Sequence, residues 1–388
     1  MLSILSVIAI LVISFLIDKP FPVKIFLSFL AVTMFIDCLT SSFSSALLGF
    51  ERFKLYTILA MGTQLLGTSL GLLVLYIGWG LIGVGISQLV TEIISGVVIA
   101  VVVSVMVCRF SLKGAFKRAV MIIKQSAPLG ITAILMTIYY RADFIMLSFM
   151  KGDQAVGYYN SAYALVNGLL LISVTFSSTL FPRLSGYFSK SPEKLDQLYQ
   201  TGFKYLLYIG MAAAFGAALL AEPIYDLIYP DSYLPGAVAL KILIWALALM
   251  FINTLQNALM IARDLKKWLM YLTLAGATAN IILNVILIPP YSFKGAAMAT
   301  VVSETITTIG FLIILRKNLP FKLLGAWLLR LVPAIVLMIL SINLTDGMMV
   351  IPRMIIGALT FMITLIITGG LNRDDFGTVM GLFSRGRE

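Results

Sequence analysis

The chain of 388 residues contains no histidine, only two cysteines and few charged residues. Without histidine it lacks the commonest metal ligand and the commonest proton relay at neutral pH. Cys38 and Cys108 are too few for a disulfide framework or a cysteine metal site. Charged residues make up 12% of the sequence against 60% hydrophobic residues, about half the charge of a soluble domain. These absences exclude a soluble globular protein, and we predict no metal site and no cofactor.

A nucleotide-driven motor is also excluded, unless a separate subunit supplies it. No glycine-rich loop precedes a lysine at P-loop spacing, and the connections between apolar stretches are too short for a soluble domain. We predict that the chain is not an enzyme. A membrane-embedded glycan polymerase or ligase stays open as an alternative, because Glu222, Asp226 and Asp231 share one connection.

Apolar stretches of roughly 20 residues, long enough to cross a membrane, recur along the whole chain. They lie at 1–17, 24–48, 55–78, 81–107, 118–150, 155–181, 200–221, 236–261, 267–288, 295–315, 323–344 and 349–370. The stretch 118–150 exceeds one straight crossing, so we expect it to tilt or to bend near Pro128. The sequence thus predicts an all-α, polytopic membrane protein of about twelve spans.

The basic residues behind the net charge of +11 are distributed unevenly between the two sets of connections. Of 28 Lys and Arg residues, 19 fall in alternate connections and the C-terminal tail, and the intervening connections carry five. Basic loops stay on the cytoplasmic side of a membrane. The pattern predicts a multi-pass protein of the cytoplasmic membrane with both termini in the cytoplasm, and it gives no support to a nucleic-acid partner.

A shift of 212 residues superimposes the two halves of the chain without a gap. Positions 83–95 then share four of thirteen residues with 295–307. Internal repeats are typical of transporters whose substrate site lies near the membrane midplane between the repeats. Under the shift Met1 falls on Ala213, inside an apolar stretch, so we expect the first half to lack the counterparts of two helices.

Polar residues are rare in the predicted spans but recur at matched positions of the repeat, on one helical face. The matched sets are Gln88, Thr91, Glu92 and Ser95 with Thr300, Ser303, Glu304 and Thr307, and Ser41, Ser44 and Ser45 with Asn253, Gln256 and Asn257. Small polar residues also hold packed membrane helices together, and that interpretation stays open for Ser and Thr. The two matched glutamates, with Gln and Asn, favour an aqueous cavity between the two halves.

Ionisable groups inside spans are candidates for function, because each is costly in lipid. Arg141 and Asp143 face about 200° apart on one helix and cannot easily neutralise each other. Lys124 precedes Arg141 by about five turns on the same predicted span. Two cations on one helix suit an anionic headgroup such as a diphosphate. Ion pairing with an acid such as Glu92 or Glu304 is the alternative that the sequence leaves open.

Four strings of the sequence resemble a known family: Ser126–Gly130, Tyr140–Asp143, Ala155–Tyr163 and Leu180–Ser185. They look like the oligosaccharide flippases, the polysaccharide-biosynthesis branch of the multidrug/oligosaccharidyl-lipid/polysaccharide exporter superfamily. The third string contains Gly-Tyr-Tyr-Asn-x-Ala-Tyr and the fourth is Leu-Phe-Pro-Arg-Leu-Ser, and both are fairly specific for that branch. The resemblance covers essentially the whole chain.

The resemblance implies two six-helix lobes around a central cavity, followed by two extra helices. Members of the family typically have fourteen spans, so this chain would correspond to spans three to fourteen, in agreement with the repeat. The expected organisation is a truncated N-terminal lobe at 1–110, a six-helix lobe at 111–318, two added spans at 319–372 and a cytoplasmic tail at 373–388.

We therefore predict a flippase that moves a lipid-linked oligosaccharide on a polyprenyl diphosphate to the outer leaflet by rocking of the two lobes. The step would serve the biosynthesis of surface lipopolysaccharide or exopolysaccharide, with membrane lipids and a coupling ion, H⁺ or Na⁺, as further partners. A cation-coupled exporter of small molecules or drugs from the same superfamily is the alternative. The candidate cavity residues are Gln88, Glu92, Lys124, Arg141, Asp143, Asn253, Gln256, Asn257 and Glu304.

Overall fold

The computed structural model describes residues 2–16, 20–50, 52–106, 137, 141–316, 318 and 321–371. Every regular element within these residues is helical, which confirms the all-α prediction. The chain divides into two compact units, Met1–Ala127 and Pro128–Glu388, called here the N-terminal and C-terminal units. The finer division into four segments stays a prediction.

Four helices form the described part of the N-terminal unit: α1 Leu2–Leu16, α2 Phe21–Gly49, α3 Phe53–Tyr76 and α4 Gly80–Met106. The C-terminal unit begins, in the described residues, with α5 at 141–151. It continues with α6 Asp153–Lys190, α7 Pro192–Leu219, α8 Ala221–Ile228, α9 Gly236–Ala262, α10 Lys266–Tyr291, α11 Phe293–Ile314, α12 Phe321–Leu344 and α13 Val350–Ile367.

Ten of these helices are long and apolar enough to cross a membrane: α2, α3, α4, α6, α7, α9, α10, α11, α12 and α13. Each overlaps one predicted span, so the prediction of a polytopic membrane protein is confirmed. Helix α1 covers the first predicted span with 15 residues, fewer than the ~20 that a straight crossing needs. The stretch 118–150, with the expected bend near Pro128, lies mostly outside the described residues.

The helix packing repeats between the two units in the order that the 212-residue shift predicts. In the N-terminal unit α4 packs against both α2 and α3, which have little contact with each other. In the C-terminal unit α11 packs in the same way against α9 and α10. The contact of α1 with α2 likewise corresponds to that of α7 with α9. The repeat is therefore present in the packing as well as in the sequence.

Helix α6 is longer than the sequence predicts. The connection expected at 183–199 is largely helical, because α6 runs on to Lys190 and α7 begins at Pro192. Pro182 lies inside α6, where proline removes one backbone hydrogen bond. The leucines two residues before and after it are both buried, so packing offsets that loss. At 1.5 Å per residue its 38 residues reach about 57 Å, well beyond the ~30 Å hydrocarbon core.

The connection expected at 222–235 also has regular structure, in α8 and a 3-10 turn at Asp231–Tyr233. The Tyr225 hydroxyl lies 2.9 Å from Ser161 Oγ on α6, and the Tyr229 hydroxyl donates to the Ser161 carbonyl at 3.0 Å. Burial raises the pKa of Tyr225 to about 12, so this phenol stays neutral at physiological pH. These hydrogen bonds hold the connection on the start of α6.

Candidate functional site

A cavity of about 360 Å³ opens among α5, α6, α9, α10 and α11 of the C-terminal unit. This volume is at the small end of the 300–1,000 Å³ range typical of ligand sites. Its polar wall contains one guanidinium, one carboxylate, three carboxamides and three threonine hydroxyls, from Arg141, Glu304, Asn167, Asn253, Asn257, Thr254, Thr273 and Thr307. Tyr163, Leu170, Met250 and Phe311 complete it. Such a concentration of polar groups within apolar helices marks a functional site.

Glu304 is held by Asn253 on the neighbouring helix α9, and Asn253 is in turn held by Thr308 on α11. Asn253 Nδ2 on α9 donates to Glu304 Oε2 at 2.9 Å. Thr308 Oγ1, one turn beyond Glu304 on α11, lies 3.0 Å from Asn253 Oδ1 and 2.7 Å from the Glu304 carbonyl, so its single proton is shared. This relay orients the amide and leaves Glu304 Oε1 without a hydrogen bond from the described residues. The relay therefore presents an acceptor to the cavity.

Arg141 lies on α5 and lines the same cavity as Glu304. Its guanidinium carbon lies 5.7 Å from the centre of the Phe144 ring, within the range of a cation–π contact. Among the described residues, Arg141 and Glu304 do not approach within ion-pair distance of each other. A cation and an anion are thus both available to one ligand.

Asp143 does not line this cavity. It is buried, and it accepts hydrogen bonds from Tyr159 Oη at 2.8 Å, Asn284 Nδ2 at 2.8 Å and Thr300 Oγ1 at 3.1 Å. These donors come from α6, α10 and α11, and Asn280 lies behind Asn284 at 2.9 Å. Arg141 and Asp143 therefore lie in different surroundings, as their spacing of two residues on one helix predicts. A carboxylate surrounded by amide and hydroxyl oxygens could hold a proton or a small hard cation.

Gln256 is fully buried on α9 and does not line the cavity either. Some of the small polar residues do hold helices together, as the alternative interpretation expected. Thr254 Oγ1 on α9 lies 2.7 Å from Ser173 Oγ and 3.0 Å from Ser177 Oγ on α6. Both interpretations of the polar residues therefore apply, and Thr254 belongs to both because it also lines the cavity.

The N-terminal unit has a cavity of its own, of about 670 Å³, among α2, α3 and α4. Gln88 and Glu92 on α4 line it with Asp37 on α2, together with Gln64 and several threonines. The prediction that Glu92 and Glu304 share one cavity stays a prediction, as does the role of Lys124, which lies outside the described residues. The described residues include no cluster of three or more His, Cys, Asp or Glu suited to a metal ion.

The sequence predicts four of the residues that line this cavity, Arg141, Asn253, Asn257 and Glu304. It does not predict the lining residues on α6 and α10. Tyr163 and Asn167 lie one turn apart on α6, and Thr273 faces them from α10. The spacing of Tyr163 and Asn167 was the available signal, since four residues place both on one helical face.

The chain is similar to a protein from Haloferax volcanii described as the probable low-salt glycan biosynthesis flippase Agl15. The two are 23% identical over 229 residues, which cover 58% of this chain and 48% of that protein. The chain therefore spans about half the length of this relative.

Two solved structures have a similar fold. The lipid II flippase MurJ, in its inward closed conformation, aligns with a TM-score of 0.74 and 20% identity over 89% of this chain and 74% of that chain. A multidrug resistance MATE family transporter of the MOP superfamily aligns with a TM-score of 0.56 and 16% identity over 83% and 76%. At these identities the likeness concerns the fold alone.

A family model described as polysaccharide biosynthesis protein matches residues 1–238, more than half of the chain. The match includes α1 to α8 and the strings Ala155–Tyr163 and Leu180–Ser185 that carried the resemblance. Because it covers more than half of the chain, this match shows that the chain belongs to the polysaccharide biosynthesis protein family.

Proposed function

We propose that this protein moves a lipid-linked oligosaccharide, carried on a polyprenyl diphosphate, across the cytoplasmic membrane for surface polysaccharide biosynthesis. The observation that carries the proposal is the polar cavity among five helices of an apolar unit, with Arg141 and Glu304 in its wall. Charged groups within membrane spans are costly and typically belong to substrate pathways. Family membership and the similarity to a glycan biosynthesis flippase support this class of substrate.

In this proposal Arg141 contacts the diphosphate, because a planar guanidinium donates two parallel hydrogen bonds to phosphate oxygens. Lys124 supports it as a second cation, and the lipid tail stays in the membrane. Transport follows alternating access and needs no covalent step. The whole cycle consists of binding, reorientation and release.

In this proposal both termini lie in the cytoplasm, which the distribution of Lys and Arg among the connections supports. In a variant without Cys38 and Cys108, a cysteine at Ser232 should react with an impermeant maleimide added outside intact cells. A cysteine at Ser189 should react only after the membrane is opened. The reverse pattern would overturn the orientation.

The activity is tested by reconstituting the full chain in liposomes that contain a polyprenyl diphosphate linked to N-acetylglucosamine. We expect the protein to make the sugars of the inner leaflet accessible to an added galactosyltransferase, which labels only those facing outward. Liposomes with an Arg141→Ala variant, inserted to the same amount, are the matched control. Equal labelling with and without the wild-type protein would contradict the proposal.

A cation-coupled exporter is the second candidate, favoured by the Asp143 cluster and by the fold of a multidrug transporter. It predicts that a Na⁺ or H⁺ gradient drives efflux of a cationic dye from the same liposomes. Dye efflux that is lost in Asp143→Asn, in the absence of sugar labelling, would favour this candidate over the flippase.

A further inference from the structure

We infer that the cavity of the C-terminal unit binds the first sugar of the carrier-linked glycan selectively. Glu304 is the hydrogen-bond acceptor for this sugar, and Asn253 positions Glu304. The inference rests on the proposed function. It adds a division of the cavity into a phosphate side at Arg141 and a sugar side at Glu304. The substrate class is a pyranose that carries a free hydroxyl or an acetamido N–H close to its diphosphate linkage.

The charges of the cavity favour a sugar diphosphate over a bare diphosphate. A bare diphosphate drawn to Arg141 would also meet the negative charge of Glu304 in the same small cavity, and like charges repel strongly where water is scarce. A sugar attached to that diphosphate offsets this repulsion, because its hydroxyl and amide hydrogens are donors to the carboxylate. One cation and one anion in a single cavity therefore suit a sugar diphosphate better than a diphosphate alone.

The hydrogen bonds from Thr308 to Asn253 and from Asn253 to Glu304 order the binding site. Asn253 holds Glu304 Oε2 at 2.9 Å, and Thr308 lies 3.0 Å from Asn253 Oδ1, so the amide cannot turn without losing both contacts. The carboxylate is thereby ordered before the ligand arrives, which reduces the entropy lost on binding. A glutamate needed only to balance the charge of Arg141 would not require this arrangement.

The size and the wall of the cavity suit the linkage region of a carrier-linked glycan. About 360 Å³ is enough for one or two small groups and too little for an oligosaccharide of several units. Asn167 and Asn257 add carboxamides that both donate and accept, and Tyr163 adds an aromatic face. This combination suits sugar hydroxyls and one apolar sugar face, so the cavity holds the linkage region and leaves the remaining glycan outside.

The test compares affinities in one preparation of the full chain in nanodiscs. The probes are short-chain polyprenyl diphosphates that carry N-acetylglucosamine, galactose or no sugar. We expect the wild-type protein to bind at least one sugar probe about tenfold tighter than the bare diphosphate, the worth of one hydrogen bond to a charged group. Glu304→Gln should reduce this ratio to near one and leave the affinity for the bare probe equal or higher.

The positioning role of Asn253 is tested with the same ratio, which does not depend on the fraction of folded protein. Asn253→Ala and Thr308→Val should both lower the ratio severalfold, and Thr308→Ser should restore it because the hydroxyl remains. Thr305→Val is the matched control. Its hydroxyl donates only to the Val301 carbonyl in the described residues and does not line the cavity, so the ratio should not change.

Three outcomes decide the matter. A wild-type ratio near one for both sugars, with firm binding of all probes, overturns the inference while the flippase proposal stands. An unchanged ratio in Glu304→Gln overturns it in the same way. If the wild-type protein binds no probe at all, the proposed function fails together with the inference.

Discussion

The two cavities are built on the same arrangement of three helices but hold different charges. Glu92 and Glu304 occupy matched positions of the repeat, and each lines the cavity of its own unit. The second charged residue is Asp37 in the N-terminal unit and Arg141 in the C-terminal unit. One cavity is therefore acidic and the other is balanced. The two units share the packing and one carboxylate, but Asp37 matches Leu249 under the shift and Arg141 has no counterpart, so the second charges come from unrelated positions.

The support of the shared carboxylate differs as well. Asn253 holds Glu304, and its counterpart under the 212-residue shift is Ser41, which is exposed on α2. A serine hydroxyl reaches one bond less far than asparagine's amide nitrogen, and it lacks the separate oxygen by which Asn253 is itself held. Among the described residues, the carboxylate of the C-terminal unit is thus held by an amide from a neighbouring helix, and that of the N-terminal unit has no such contact.

The largest effect is expected from removing the cation that distinguishes the two cavities. Arg141→Ala should nearly abolish transport and Arg141→Lys should reduce it by about 10- to 100-fold, since a bidentate charged contact is lost. Surface glycan and membrane-inserted protein should be measured in the same strain. Arg52→Ala, at an exposed arginine before α3, is the control and should leave both unchanged.

The same experiment separates transport from stability. If Arg141 only balanced a buried acid, its removal would cost about 3–5 kcal/mol and would appear as loss of inserted protein. Normal glycan at a normal protein level in Arg141→Ala would contradict both explanations.

A second contrast lies in the buried network of the C-terminal unit. Asp143→Ala would remove the acceptor shared by three buried donors, although Thr300 keeps the Ala296 carbonyl and Tyr159 keeps the Thr300 hydroxyl as partners. We expect a loss of about 1–3 kcal/mol, measured as a lower midpoint of thermal unfolding in detergent. Asp37→Ala, at an exposed aspartate of the other unit, should have little effect. Equal shifts in the two variants would remove the contrast.

Much of the fold was predictable because length and hydropathy alone define a membrane helix, as the ten confirmed spans show. The cavity was predictable in part. Matched polar positions indicated Glu304 and Asn253. Periodicity, however, shows only which face of its helix a residue occupies, and it does not show whether that face borders the cavity or a packed neighbouring helix. Asp143 and Gln256 were therefore expected in the cavity and are buried beside it. Asn167 was missed because α6 has no counterpart in the repeat.

A smaller effect is expected from the two matched glycines at the starts of α4 and α11. A methyl group at Gly295 would overlap the backbone carbonyl of Leu287, whereas one at Gly83 would overlap the side chains of Val74 and Trp79. Side chains can move more easily than backbone, so Gly295→Ala should cost about 1–3 kcal/mol and Gly83→Ala less. Thermal unfolding of the two variants measures the difference. A larger loss in Gly83→Ala would show that the two helix pairs are not packed alike.

The smallest effect is expected in the acidic connection, which belongs to the C-terminal unit alone. Glu222 pairs with Lys241 at 2.6 Å, with 59% and 41% of their side chains exposed, and such surface pairs contribute about 0–1 kcal/mol. Replacing the three acids together, as Glu222→Gln, Asp226→Asn and Asp231→Asn, should therefore leave surface glycan within about twofold of wild type, because a transporter needs no carboxylate there. A membrane-embedded polymerase or ligase would depend on these carboxylates for its chemistry. Loss of glycan in the triple variant at a normal protein level, with Arg141→Ala still active, would contradict the proposed transporter and support the polymerase or ligase.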